Sequence, residues 1–190
     1  GTGSDLRILH DGTDNVITSD TGTSIRIVNH LTGGNESMAK FIPNAAAELY
    51  HNGTKTFQTD SNGVVVYGPE GGDANIYLYA DEGDDNADKW QIKADAGSGA
   101  FQVRNYGGGS WETSIESNHG GNVELYHDNS LKALTYGNGF QVNGHVNVQS
   151  TGHVYLEDNG KLKLGDGGDV DINLNDDMFI EGSSGNVLIG

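Results

Sequence analysis

The sequence predicts an all-β protein, from three observations. Its apolar residues are mostly Val, Ile, Leu, Tyr and Phe in short alternating runs, the pattern of strands with one face turned inward. Asn-Gly and Asp-Gly pairs separate those runs. No convincing 3.6-residue apolar stripe appears anywhere, so helices do not compete. The expected architecture is an elongated trimeric β-prism or interleaved β-helix built from short strands and repeated modules.

Taken in order, the predicted strands are Leu6 to Leu9, Ser24 to Asn29, Glu48 to Tyr50, Val64 to Tyr67, Asn75 to Tyr79 and Ala100 to Asn105. Gly139 to Val142, His145 to Val148, Val154 to Leu156, Lys161 to Leu164, Val170 to Leu174 and Val187 to Ile189 follow at similar spacing. Between Met38 and Leu49 the run Ala45, Ala46 and Ala47 is interrupted upstream by Pro43, so one helical turn at most is expected there. Turns are expected at Asp11-Gly12, Asn52-Gly53, Asn62-Gly63, Asn138-Gly139, Asn143-Gly144 and Asn159-Gly160, because both residue types accept positive φ.

Composition bounds the function. Thirty glycines against two prolines fit frequent tight turns rather than collagen or a proline-rich linker. Asp and Glu outnumber Lys and Arg by 27 to 10, a formal charge of -17 that argues against nucleic acid and anionic membrane surfaces as partners. No apolar run is long enough to span a bilayer as a helix. With no cysteine, disulfides and thiolate metal sites are excluded. The chain begins with Gly1 rather than Met, as expected of a fragment or a processed product.

The most informative feature is an internal repeat at an offset of 76 residues. Glu48-Leu49-Tyr50-His51-Asn52-Gly53-Thr54 matches Glu124-Leu125-Tyr126-His127-Asp128-Asn129-Ser130, and the alignment runs without a gap to Gly68 and Gly144. Nine of those 21 positions are identical. The same offset lays Ile25-Arg26-Ile27-Val28-Asn29 over Phe101-Gln102-Val103-Arg104-Asn105, and with a small shift Leu6 to Gly12 resembles Ile76 to Gly83. Modules are therefore expected at 1–68 and 69–144, with 145–190 as a partial third that contains Val154-Tyr155-Leu156-Glu157-Asp158-Asn159-Gly160.

At these residues the chain resembles the repeat-containing tail-fibre and virion structural proteins of marine bacteriophages, cyanophages in particular. The resemblance is carried by Leu6 to Gly12, Glu48 to Asn52, Asp84 to Trp90, Gly109 to Thr113, Glu124 to Asn129 and Gly185 to Gly190. It implies a long, trimeric, extracellular virion appendage that helps a phage attach to its host, and it transfers no catalytic residue. Such proteins often end in a self-cleaving chaperone domain, which has no counterpart in this sequence.

Candidate chemistry is sparse. His10, His51 and His127 are each followed by Asp or Asn, and three copies around a threefold axis could offer imidazoles to a metal, although a His packed at a strand end needs none. Asp169, Asp171, Asn173, Asn175 and Asp177 alternate with apolar residues, and Asp81, Glu82, Asp84, Asp85 and Asp88 form an acidic loop. Neither matches a defined calcium loop, and solvated faces are the preferred reading. Trp90 and Trp111 could stack on sugars, with a place in the core as the simpler alternative. No carboxylate pair or nucleophile motif is singled out, so no enzyme, cofactor, catalytic residue or metal ligand is expected.

A long repeat, short strands and few large apolar side chains would give a thin core and exposed sheet edges in a single chain. Threefold closure would cure both, bringing Leu49, Val66, Leu125 and Val142 against their copies. The expected function is a structural segment of a trimeric tail fibre. A receptor-binding tip contacting a host glycan or protein, a bacterial adhesin and, last, a polysaccharide depolymerase are the alternatives.

Overall fold

The protein was studied as a computed structural model, which describes residues 5–31, 34–149 and Val154. The chain divides into two units, 1–146 and 147–190. Among the described residues of the first lie fourteen strands, all paired antiparallel, and two single-turn 3-10 helices, Asp81–Gly83 and Asn86–Asp88. Among the described residues there is no α-helix, and no helix is long and apolar enough to cross a membrane. The segment 42–46 is a turn between two strands, without the helical turn allowed for it.

Strands β1 (Leu6–His10) and β2 (Asn15–Ser19) form a two-stranded hairpin around Asp11-Gly12. Strands β3 (Ile25–Leu31), β4 (Gly34–Phe41), β5 (Ala47–His51), β6 (Thr54–Asp60) and β7 (Gly63–Val66) form a five-stranded meander. A seven-stranded meander follows, from β8 (Ala74–Tyr79) and β9 (Lys89–Ala94) through β10 (Phe101–Asn105), β11 (Glu112–Ser117), β12 (Val123–His127) and β13 (Ser130–Tyr136) to β14 (Gly139–Val142). Each strand pairs with its chain neighbour, the simplest antiparallel topology. A repeat of 76 residues is thus one seven-strand count of a meander, laid out in one sheet from β8 to β14 and as two plus five from β1 to β7.

The offset reappears in the ladders. Ala39 pairs with Leu49 as Ile115 pairs with Leu125, and Phe57 pairs with Val66 as Ala133 pairs with Val142. Both bulges recur in place, at Ile27/Val28 and Val103/Arg104 and again at Leu49/Tyr50 and Leu125/Tyr126. The β5–β6 turn uses Asn52 and Gly53 at φ 50° and 71°, the twist a two-residue hairpin requires. Its counterpart holds Asp128 and Asn129 at φ 49° and 54° without any glycine. The Thr59 hydroxyl accepts from the Ala47 amide at 2.9 Å, and Thr135 does the same for Val123 at 2.9 Å. Thr59 is identical across the repeat because it satisfies the first amide of the strand beside it.

His145 to Val148 is irregular, not the strand expected. Alternation alone makes no strand without a partner, and β14 is the outermost strand of its sheet. The strands predicted at 161–164, 170–174 and 187–189, most of that at 154–156, and the Asp/Asn stripe at 169–177 lie outside the described residues.

Candidate functional site

Cross-strand partners share a face, so the registers assign every side chain to one side of its sheet. In the five-stranded sheet Ile27, Ala39, Leu49, Phe57 and Val66 form one apolar row, flanked by Ile25, Phe41 and Ala47. In the larger sheet the row runs Ile76, Ile92, Val103, Ile115, Leu125, Ala133 and Val142, across all seven strands. Leu49 and Val66 share one face of the smaller sheet, and Leu125 and Val142 share one face of the larger.

Burial in the single chain is inverted. Among the described residues the buried apolar side chains are only Ala39, Ala100 and Ala133, while Leu49 and Leu125 are 49% and 42% exposed. On the opposite faces Glu48 is 8% and Gln91 4% exposed. The polar side is tied together by hydrogen bonds and the apolar side is covered by nothing within its own sheet.

Glu48 centres the polar face of the smaller sheet. It accepts from Tyr50 OH at 2.6 Å and from Lys55 Nζ at 3.1 Å, and Lys55 also donates to Gln58 Oε1 at 2.6 Å and lies 4.9 Å from the Tyr67 ring centre. The Tyr50 hydroxyl, then Lys55, hold the Glu48 carboxyl below its usual range; Glu48 in turn raises Tyr50 and Lys55. In the repeat Tyr126 donates to Glu124, which pushes the phenol up to about 12. Lys55 is replaced there by Leu131, so Glu124 has no equivalent ammonium.

The larger sheet adds a second network at its β8 end. Gln91 Nε2 donates to Asn75 Oδ1 at 2.9 Å and to Tyr77 OH at 3.2 Å, and Arg104 Nη1 donates to Gln91 Oε1 at 3.1 Å. Arg104 Nη2 reaches the Trp111 carbonyl at 3.1 Å, while its Nε is buried without a partner. Tyr77 lies 6.0 Å from Tyr79 and 5.7 Å from Trp111 between ring centres, and Trp111 lies 5.1 Å from Tyr106. Trp111 therefore sits in an aromatic cluster on the polar face. Trp90 projects from the other face, paired with Leu78 and with Asn105, and is exposed. Neither tryptophan is in a closed core. Tyr77, Tyr79 and Tyr106 were not singled out in the sequence; the signal available was Tyr77-x-Tyr79, two rings on one face of one strand.

The remaining candidates stay apart. His51 and His127 end β5 and β12 as exposed side chains, and His10 contacts the Asp14 carbonyl at 3.0 Å in its own hairpin turn. Asp84, Asp85 and Asp88 bring one carboxylate oxygen each within 4.8 Å of one another, but Asp85 and Asp88 already serve as reciprocal caps of the second 3-10 turn. Shallow depressions of about 410 and 420 Å³ recur at the repeat offset, one lined by Asn44, Ala45 and Thr59, the other by Gly120, Gly121 and Thr135.

The described residues define an all-β protein of open antiparallel meanders, in which each of the two larger sheets has one polar, networked face and one uncovered apolar face. No family model, no curated protein and no solved structure matches the chain.

Proposed function

We propose that the chain is a structural segment of a homotrimeric bacteriophage tail fibre, extracellular on the virion, that contributes to host attachment. The inverted burial carries this reading. Two apolar rows, five and seven residues long, cross their sheets with large side chains left open, a feature that soluble proteins reserve for interfaces. Three copies turned apolar face inward would form the walls of an elongated prism. The polar networks of Glu48 and Gln91 would then face outward. Closed cyclic symmetry uses one surface of one chain three times, so a single repeated row suffices. A formal charge of -17 keeps neighbouring fibres apart.

A non-catalytic role accords with the electrostatics. Glu48, Asp73 and Asp95 are pushed down, and Lys55, Lys93, Tyr50 and Tyr126 up. All move away from neutrality, the opposite of what acid–base catalysis needs. A receptor-binding role for the same segment is favoured by the aromatic cluster around Tyr77, which stands on the face left outward. Sedimentation velocity tests the assembly. Three masses of the 20.1 kDa chain with the high friction of a rod are expected, and a compact single-chain species would overturn the fibre reading.

A further inference from the structure

The aromatic cluster at the β8 end of the larger sheet is not required by the fold. Residues 76 positions before Tyr106 and Trp111 are His30 and Asn35, and the five-stranded meander forms with them. Tyr77 and Tyr79 are 50% and 54% exposed, and both stand on the hydrogen-bonded face, opposite the apolar row. Trp111 backs Tyr77, Tyr106 backs Trp111, and the Lys89 ammonium lies 5.8 Å from the Tyr106 ring centre. Gln91, itself held by Arg104, fixes the Tyr77 hydroxyl. The result is a shelf of oriented rings with amide and hydroxyl groups along one side, the mixture of flat apolar surface and few polar groups typical of small-molecule sites.

We propose that this shelf binds an uncharged saccharide chain, the apolar faces of its pyranose rings stacking on Tyr79 and Tyr77 while Asn75 and the Tyr77 hydroxyl meet its hydroxyl groups. Charge selects the class. The loop that follows Tyr79 carries Asp81, Glu82, Asp84, Asp85 and Asp88, and Gly83 of that loop packs on the Tyr79 ring, where an added Cβ would lie 3.0 Å from Tyr79 Cβ. An acidic glycan would meet this field and the overall negative charge; a neutral one would not. The inference rests on the fibre reading in one respect, that the polar face stays outward when the apolar face is buried.

Native gels cast with dextran, a β-1,3-glucan, galactomannan or the acidic polymer alginate test the shelf, with light scattering on the same samples reporting assembly. At least one neutral polymer is expected to retard the full chain, and alginate is not. Tyr79→Ala should weaken retardation by about tenfold or more, and Tyr79→Phe, which keeps the ring, by less than about threefold. Melting temperature and mass should not change, because Tyr79 is exposed and off the apolar row. Absence of retardation by all three neutral polymers, equal retardation of wild type and Tyr79→Ala, or stronger retardation by alginate would each overturn the proposal. A single-chain species that is still retarded by a neutral polymer would sink the fibre reading and leave the shelf standing; a trimer that is not retarded would do the reverse.

Discussion

Two hairpins precede two copies of the same five-strand meander, and they behave differently. The hairpin β8–β9 continues its sheet through the β9–β10 ladder, whereas β1–β2 forms a sheet of its own. The cause lies in the links. Between β9 and β10 six residues, 95–100, form a closed turn around Asp95, whose carboxylate accepts from the Ser98 amide at 2.7 Å and the Ser98 hydroxyl at 2.9 Å. Lys93 clamps Asp95 at 2.6 Å and Asp73 at 2.8 Å, Asp73 accepts from the Ala96 amide at 2.9 Å, and Ala100 is buried beneath the turn. Between β2 and β3 only five residues intervene, 20–24, and Asp20 faces back to Arg7 of its own hairpin at 2.7 Å. A carboxylate one loop position along thus serves the next ladder in one case and the preceding hairpin in the other. Sheet continuity in this repeat is a property of the link.

The apolar rows offer the largest perturbation. Leu125 sits in the row of seven and Leu49 in the row of five, so Leu125→Lys should disrupt assembly more than Leu49→Lys. In the proposed assembly each would lose roughly 2 to 3 kcal/mol per chain of apolar burial, before any cost of the charge. Light scattering against concentration measures both. Mass unchanged by either variant would remove the face from the interface.

Breaking the link should make the two hairpins alike. In Asp95→Ala the β8–β9 amides should exchange at least about tenfold faster with deuterium, approaching those of β1–β2, while β12–β14 keep their protection. Acid should do the same. Lys93 hydrogen bonds first, then backbone and Ser98 donors, hold the Asp95 carboxyl well below its usual range, and Lys93 likewise lowers Asp73. A group depressed on folding contributes stability above its unfolded value, near pH 4, and loses it as pH falls below. Accelerated exchange of β8–β9 below about pH 4, ahead of β12–β14, is therefore expected. Uniform acceleration would show that the link does not hold the hairpin.

The two Tyr–Glu pairs give a smaller contrast. Tyr126, raised to about 12 by Glu124, contributes stability fully present below its unfolded value and lost as pH rises towards the folded one. Absorbance titration should resolve a late phenol that disappears in Tyr126→Phe, at a cost of about 1 kcal/mol by thermal melting. A single titration step near pH 10 for all tyrosines would contradict the pairing. Smallest is the turn. Asn129→Gly places at φ 54° the residue that Gly53 already supplies in the other copy and should stabilise by about 0.5 to 1 kcal/mol. Destabilisation would mean that the Asn129 side chain, which accepts from the Thr113 amide at 3.1 Å, outweighs the backbone.

What the sequence made legible follows the same physics. Strands β1, β3, β5, β7, β8, β10 and β14 carry enough Val, Ile, Leu, Tyr or Phe to announce themselves, and the repeat located β12. Strands β4 and β6, Gly34–Phe41 and Thr54–Asp60, are polar on paper. Their state comes from partners on both sides, which local pattern does not contain. The Ala45-Ala46-Ala47 run illustrates the converse, since its helix propensity yields to the β4–β5 turn. Of the aromatic shelf only Trp111 was visible, because Tyr77 meets it through the registers of intervening strands and Tyr106 through the geometry of the β10–β11 turn.

The chain has no cysteine, so a single introduced thiol reports one position. Leu125→Cys lies on the apolar row and Gln141→Cys on the polar face of the neighbouring region, and both positions are exposed in the single chain. Maleimide labelling of the folded protein should be at least about tenfold slower at position 125 than at 141, because in the proposed trimer copies of the chain cover only the apolar face. Equal rates at the two positions, in protein that still melts cooperatively, would contradict burial of that face and with it the trimeric fibre.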